Sequence, residues 1–237
     1  CLEIIKLRNS IPIKSILDKS KLVSEPDASD IGYIIGPQIN AASRLGESNL
    51  PSKLLTSKDS VEIDSISNKL LLLNEKRKLI ENQIYEDAIK KININDKSKY
   101  IIVFNDNWHS GVLGIVASRL LYKYYKPTII ISFENNIGTG SARSIESINL
   151  GNIIMEAKNK GLLISGGGHK AAAGLKINKD KFKLFKNYLD NIFSNIDDIF
   201  FKRKFTYSDK ISLNQIQPEL LEDLKILEPF GNGNEEP

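Results

Sequence analysis

From Val61 to Lys91 the chain contains neither glycine nor proline, and apolar residues return at Ile66, Leu70, Leu73, Ile80, Ile84 and Ala88. Steps of three and four residues place them on one side of a helix, with Arg77 as the one interruption. Asp59, three residues before Glu62, predicts a capped start. At 1.5 Å per residue such a helix runs roughly 45 Å, longer than one core requires. It predicts a connector between two domains.

The residues beyond that helix alternate in kind. Tyr100–Phe104 and Thr128–Phe133 predict short buried strands, and between them lie the polar loop Asn105–Ser110 and an apolar helix from Gly111 to Tyr124, stopped before Pro127. Strand, helix, strand with short joints predicts an α/β domain. Gly138–Ser144 predicts a further strand beginning at a glycine turn. Leu150–Lys158 predicts a helix, Leu175–Ile177 a short strand and Lys181–Phe193 an amphipathic helix. On the other side of the long helix, Gly36-Pro37 marks a turn before a short Ala-rich helix. From Phe200 the character changes to a strand-like opening, a helix near Pro218–Leu227 and the segment Pro229–Asn234.

Composition sets outer limits. The 237 residues carry 33 Lys and Arg against 29 Asp and Glu, a net charge of +4 that permits nucleic-acid binding without arguing for it. No apolar run is long enough to span a bilayer, and no secretory leader opens the chain, so a cytoplasmic protein is expected. Cys1 is the one cysteine, which excludes an internal disulfide and a cysteine-rich metal site. The chain does not begin with Met and reads as a fragment. The two histidines, His109 and His169, stand in no carboxylate-histidine cluster, so no metal ligands are expected here. Nucleophile-elbow and P-loop motifs are absent.

Four segments carry chemistry. Successive glycines in Gly166-Gly167-Gly168-His169 let backbone N–H groups converge on an anion, and a helix following them would add its positive end. A flexible loop before a tightly packed Ala helix explains the same residues. In a strand, Ser141 and Arg143 of Ser141-Ala142-Arg143-Ser144 point to one side and can grip one phosphate, or form an exposed edge. Asn40 and Arg44 share a helix face, functional or merely solvated. Trp108-His109 can meet a base or a phosphate, or the Trp can pack under its loop.

In order along the chain these segments resemble one family. Gly36–Gly46 (GPQINAASRLG), Leu73–Arg77 (LNEKR), Asn107–Leu120 (NWHSGVLGIVASRL), Gly140–Ser144 (GSARS), Gly167–Gly174 (GGHKAAAG) and Pro229–Asn234 (PFGNGN) are similar to segments of the RecJ exonucleases, members of the DHH phosphoesterase superfamily. The resemblance implies an α/β DHH-associated domain with a mixed sheet and flanking helices. A long connecting helix would precede it and the start of an oligonucleotide-binding β-barrel would follow. The domains would be 1–57, the end of a DHH domain; 58–97, the helix; 98–195, the DHH-associated domain; and 196–237, a partial barrel.

The implied activity is 5′ to 3′ hydrolysis of single-stranded DNA in recombination and repair, with Mn²⁺ or Mg²⁺ held upstream and this segment inactive alone. Ser141, Arg143, Ser144, Gly167, Gly168, Arg44, Asn40 and His109 would contact DNA or phosphate, and His169 would meet the phosphate near the scissile bond. Single-strand-binding protein and a RecQ-like helicase are implied partners of a monomer. Gln38 stands where the family often has Arg, and Ser43 where it has Gly. Two other readings remain: a DHH-family phosphodiesterase of short oligonucleotides or cyclic dinucleotides, and a non-catalytic single-strand DNA-binding module.

Overall fold

The computed structural model describes residues 2–93, 97–204, 207, 210–231 and 233–235; Cys1 and Asn232 of the Pro229–Asn234 segment lie outside these. The chain divides into one unit of residues 1–75 with 204–237 and a second of residues 76–203. The predicted long helix is present as a continuous element, Ser60–Lys91, and the division falls within it.

The first unit is helical. Helices α1 (Leu2–Lys6), α2 (Ile11–Lys19), α3 (Ala28–Asp30), α4 (Gly36–Arg44) and α5 (Leu50–Thr56) precede α6 (Ser60–Lys91). Ile16, Leu17, Ile35, Ala42, Leu54, Ile63, Ile66 and Leu70 form its core. Gly36-Pro37 makes no turn here: a π turn, Ile31–Ile35, runs straight into α4, with proline in the first turn where its missing N–H costs nothing. Asp59 caps α6 by accepting from the Val61 N–H at 2.9 Å. In the tail, Pro218–Lys225 is helical (α10), while the strand-like opening is replaced by a 3₁₀ turn at Asp198–Phe201. Among the described residues of 204–235 the β structure is one isolated bridge, Gly231 with Asn234.

The second unit is built on a five-stranded mixed sheet ordered β1-β2-β3-β5-β4. Its strands are β1 (Ile101–Asp106), β2 (Thr128–Glu134), β3 (Ile137–Arg143), β4 (Ser165–Gly168) and β5 (Ala172–Asn178). β1 and β2 are parallel, joined by α7 (Leu113–Tyr124), and the other pairings are antiparallel. The β2–β3 turn is made by Asn135 and Asn136, both left-handed at φ 48° and 65°, rather than by glycine. Gly138 and Gly140 instead lie within β3, where added Cβ atoms would fall 2.7 Å from the Phe133 ring and 2.9 Å from Leu175 Cγ.

Each face of the sheet has its own core. On one, Ile101, Val103 and Ile130 pack with Val116, Ala117 and Leu120 of α7 and Ile84 and Ala88 of α6. On the other, Ile129, Ile131, Ala142, Ala173, Leu175 and Ile177 pack under α8 (Leu150–Asn159) and α9 (Phe182–Ser194). Trp108 is a packing residue: it is buried, and its indole N–H donates to Asp87 of α6 at 3.0 Å, a carboxylate that also accepts from Asn105 at 2.6 Å.

Arg77, the interruption in the apolar row of α6, is buried with a partner. Its guanidinium meets Glu81, one turn on, at 2.5 Å, and Glu81 also accepts from Arg119 of α7 at 2.9 Å. Arg119 lies 3.8 Å over the Tyr85 ring and donates to Asn82 at 2.7 Å. The carboxylate thus ties α6 to α7.

The glycine-rich segment is a hairpin and no helix follows it. β4 and β5 pair from Ser165–Lys176 to Gly168–Ala173, and His169 and Ala172 exchange backbone hydrogen bonds of 2.8 and 3.3 Å around Lys170-Ala171. The expected Ala helix is a strand because Ala173, Leu175 and Ile177 alternate into the core. A Cβ at Gly168 would lie 2.3 Å from the Ala172 carbonyl oxygen, and one at Gly166 2.8 Å from Ile154 of α8.

Removing one partner of a buried ion network leaves the other uncompensated. Glu81→Ala is expected to lower the unfolding free energy by about 3 kcal/mol, read from urea unfolding. Gly168→Ala is expected to lower the melting temperature in calorimetry, since the added methyl meets backbone rather than a movable side chain.

Candidate functional site

Pairing register decides which side chains share a face, because strand residues directly opposite one another point the same way. β3 and β5 place Ser141 opposite Gly174 and Arg143 opposite Ala172; β4 places Gly167 opposite Gly174. Ser141, Arg143, Ala172, Gly174 and Gly167 therefore form one patch, on the face where β1 and β2 carry α7. Ser141 and Arg143 are half-buried and Gly174 is exposed. His169, exposed at the hairpin tip, is level with Ala172 and hence with Arg143.

Arg143 is held in place. Its Nη1 donates to Ser141 Oγ at 3.2 Å and to the Ala142 carbonyl at 2.9 Å. The first turn of α7 closes over it: a Cβ at Gly114 would lie 2.7 Å from Arg143 Nη2 and 3.1 Å from Ser141 Oγ. Glycine at 114 lets the guanidinium lie against the helix in this position; a larger residue would displace it. A planar fork of N–H donors beside a hydroxyl, fixed before any ligand arrives, suits a phosphate group.

The other predicted residues are placed variously. His109 precedes the 3₁₀ turn Ser110–Val112 that leads into α7, and its Nδ1 accepts from the Gly111 N–H at 3.2 Å, so it belongs to the same end of α7 as Gly114. Gly168 lies on the opposite face of the sheet from Gly167, against the α8 side. Ser144 stands apart from Ser141 and Arg143. It follows the end of β3, is buried, and its backbone N–H donates to the Ala171 carbonyl at 2.8 Å. Its Oγ is enclosed and has no partner among the described residues.

Asn40 and Arg44 belong to the first unit, on α4, with Asn40 exposed and Arg44 half-buried. Gln38 is 2% exposed and its amide donates to Ser20 Oγ at 2.6 Å. It serves that unit's own packing.

Two residues on the patch were missed from sequence, Gly174 and Lys176. Lys176 is exposed and pairs with Thr139 and Ser165, which puts it on the face of Ser141 and Arg143. The signal was the strict alternation of Ala173, Leu175 and Ile177 with Gly174 and Lys176 across Ala172–Asn178. Reading the strand as Leu175–Ile177 alone hid it. Among the described residues, no group of three or more His, Cys, Asp or Glu is placed to hold a metal ion. Nor is any helix long and apolar enough to cross a membrane.

Comparison with known proteins agrees with this frame. The DHHA1 domain family matches residues 97–195. Single-stranded-DNA-specific exonuclease RecJ of Thermus thermophilus is 31% identical over 210 residues, covering 89% of this chain and 30% of that protein. RecJ of Haemophilus influenzae is 30% identical over 224 residues, covering 91% of this chain and 39% of that protein. The chain thus spans roughly a third of the length of these relatives. The crystal structure of Thermus thermophilus RecJ with Mg²⁺ superposes with a TM-score of 0.88 at 28% identity, over all of this chain and 36% of that one. A manganese-bound RecJ structure gives 0.71 at 28% identity, over 83% of this chain and 49% of that one. Residues 97–195 form a DHHA1 domain, and the chain as a whole is RecJ-like in sequence over most of its length and in structure throughout.

Proposed function

We propose that this segment binds the 5′-phosphorylated end of single-stranded DNA within a metal-dependent 5′ to 3′ exonuclease that serves recombination and repair. The observation that carries the reading is the joint placement of Ser141 and Arg143 on one accessible sheet face, with His169 level with Arg143 at the adjoining hairpin tip. The relatives this segment matches are single-stranded-DNA-specific exonucleases, and two matched structures carry Mg²⁺ or Mn²⁺.

In this reading Ser141 and Arg143 hold the terminal phosphate and fix the strand's position, while His169 donates a hydrogen bond to the next phosphate. Gly167 lets the backbone approach closely, and His109 lines the same end of α7. Divalent ions supply activated water and charge neutralisation when bound. The described residues offer no ligand set that fits them, so holding the strand is this chain's part. Asn40 and Arg44 contribute further DNA contacts from the first unit.

Residues 1–57 complete a DHH domain, 58–97 connect, 98–195 form the DHH-associated domain and 196–237 begin an oligonucleotide-binding barrel. The whole enzyme works as a cytoplasmic monomer, with single-strand-binding protein and a RecQ-like helicase delivering its substrate.

In the full-length enzyme, Arg143→Ala is expected to weaken binding of a 5′-phosphorylated single strand at least about tenfold, the worth of one charge-assisted hydrogen bond. A 5′-hydroxyl strand should be little affected, so fluorescence anisotropy with the two strands tests the role directly. Equal losses would remove the phosphate from Arg143. The segment of residues 1–237 on its own is expected to release no nucleotides from single-stranded DNA with Mn²⁺, measured as acid-soluble product.

A further inference from the structure

The glycines around the hairpin fall into two kinds. Gly138, Gly140, Gly166, Gly168 and Gly151 are required by packing, since a Cβ at any of them would sit between 2.3 and 2.9 Å from another atom. Gly174 is different, and so is Gly167 opposite it, where a Cβ would meet only the Met155 methyl at 3.8 Å. A Cβ at Gly174 would meet only the Gly140 carbonyl oxygen, at 4.0 Å, so alanine fits without strain. A glycine inside a strand weakens it and often marks close approach by a ligand. Gly174 also lies at the centre of the patch, opposite Ser141 on one side and Gly167 on the other, with Arg143 diagonal to it.

Lys176 is the next residue on that face along β5, and it is the diagonal neighbour of Ser141. Diagonal neighbours on a sheet lie about 7–8 Å apart, within reach of a long side chain. Among the described residues no hydrogen bond or ion pair engages its ammonium group, whereas nearby Lys179 is paired with Asp106 at 3.0 Å. The residues of β3, β5 and β4 on this face are Ile137, Thr139, Ser141, Arg143, Ala172, Gly174, Lys176, Asn178, Ser165 and Gly167. None is a carboxylate. An anion above Gly174 is therefore met by cations from two directions and by no competing acid on these strands.

We infer that Gly174 and Lys176 complete the terminal-phosphate pocket: the phosphate sits over the bare Gly174 backbone, gripped by Ser141 and Arg143 from β3 and by Lys176 from β5. This rests on the phosphate-binding reading of Ser141 and Arg143 and adds two residues to it. The space left by the missing Cβ sets how deeply the phosphate descends. Lys176, as a flexible point charge, supplies attraction with little demand on geometry.

The test uses the full-length enzyme, with Ca²⁺ as the only divalent cation, and compares affinity for a 5′-phosphorylated and a 5′-hydroxyl oligothymidylate. Lys176→Gln is expected to cut the preference for the phosphorylated strand about tenfold, and Lys176→Arg to retain most of it. Gly174→Ala is expected to keep or raise the melting temperature while cutting the same preference. Loss of melting temperature in Gly174→Ala, or equal weakening of both strands or none in Lys176→Gln, overturns the inference. Arg143→Ala in the same assay separates the two levels. If it abolishes the preference while the Lys176 and Gly174 variants leave it intact, only this inference fails. If wild type shows no preference, or Arg143→Ala leaves it unchanged, the phosphate-binding reading fails as well.

Discussion

The arrangement of the second unit depends on the register between β3 and β5. Side chains alternate along a strand, so sliding one strand by a single residue exchanges its two faces. With Ser141 opposite Gly174, the residues Ala142, Ala173, Leu175 and Ile177 all enter the core beneath α8 and α9. The same register sends Ser141, Arg143, Gly174 and Lys176 to the other side. Burial of one set fixes the presentation of the other: the apolar residues that hold the sheet together also aim the polar ones. Precision at Arg143 comes at little extra cost, because the strand that carries it lies between two others.

A second constraint acts at the end of α7. The helix is anchored to α6 through Glu81, which holds Arg77 and Arg119 at once, and through the shared apolar layer of Ile84, Ala88, Val116 and Leu120. At the other end its first turn passes so close to Arg143 that a Cβ at Gly114 would push on the guanidinium. Breaking a charge pair that has left water is costly, so α7 has few ways to shift along α6. The guanidinium is thereby confined between a strand and a helix that are each fixed by separate interactions.

Much of this was legible in the residues. The apolar spacing over Val61–Lys91 gave the long helix, and the strand–helix–strand order around Asn105–Tyr124 gave the α/β unit. What misled was local composition. Gly166–Ala173 reads as a loop before an Ala-rich helix because small residues carry weak strand signals. The strand at Ala172–Asn178 is set by contacts with β3 and β4, distant in sequence for β3. Gly36-Pro37 suggested a turn, yet proline suits a first helical turn equally well, and the π turn before it has no sequence signature. Ser144 looked equivalent to Ser141, and only the end of β3 after Arg143 separates them. Arg77 looked like a break in an apolar row although its buried partner, Glu81, stands only four residues on; the member of the network that lies far along the chain is Arg119, which shares that carboxylate.

Glycine content alone therefore says little about where a ligand sits in such a hairpin. Most of the glycines in β3 and β4 answer to neighbours: Leu175 needs Gly140, Ile154 needs Gly166, and the backbone of Ala172 and Ala173 needs Gly168. They would be selected for packing even in a protein that bound nothing. A glycine that packing leaves unexplained is the informative one, because an empty position in a strand costs conformational entropy and returns no contact. By that criterion the site centres on Gly174 and on Gly167 opposite it, rather than on Gly166 or Gly168. The cations that matter are then those one diagonal step away on the same face, Arg143 and Lys176.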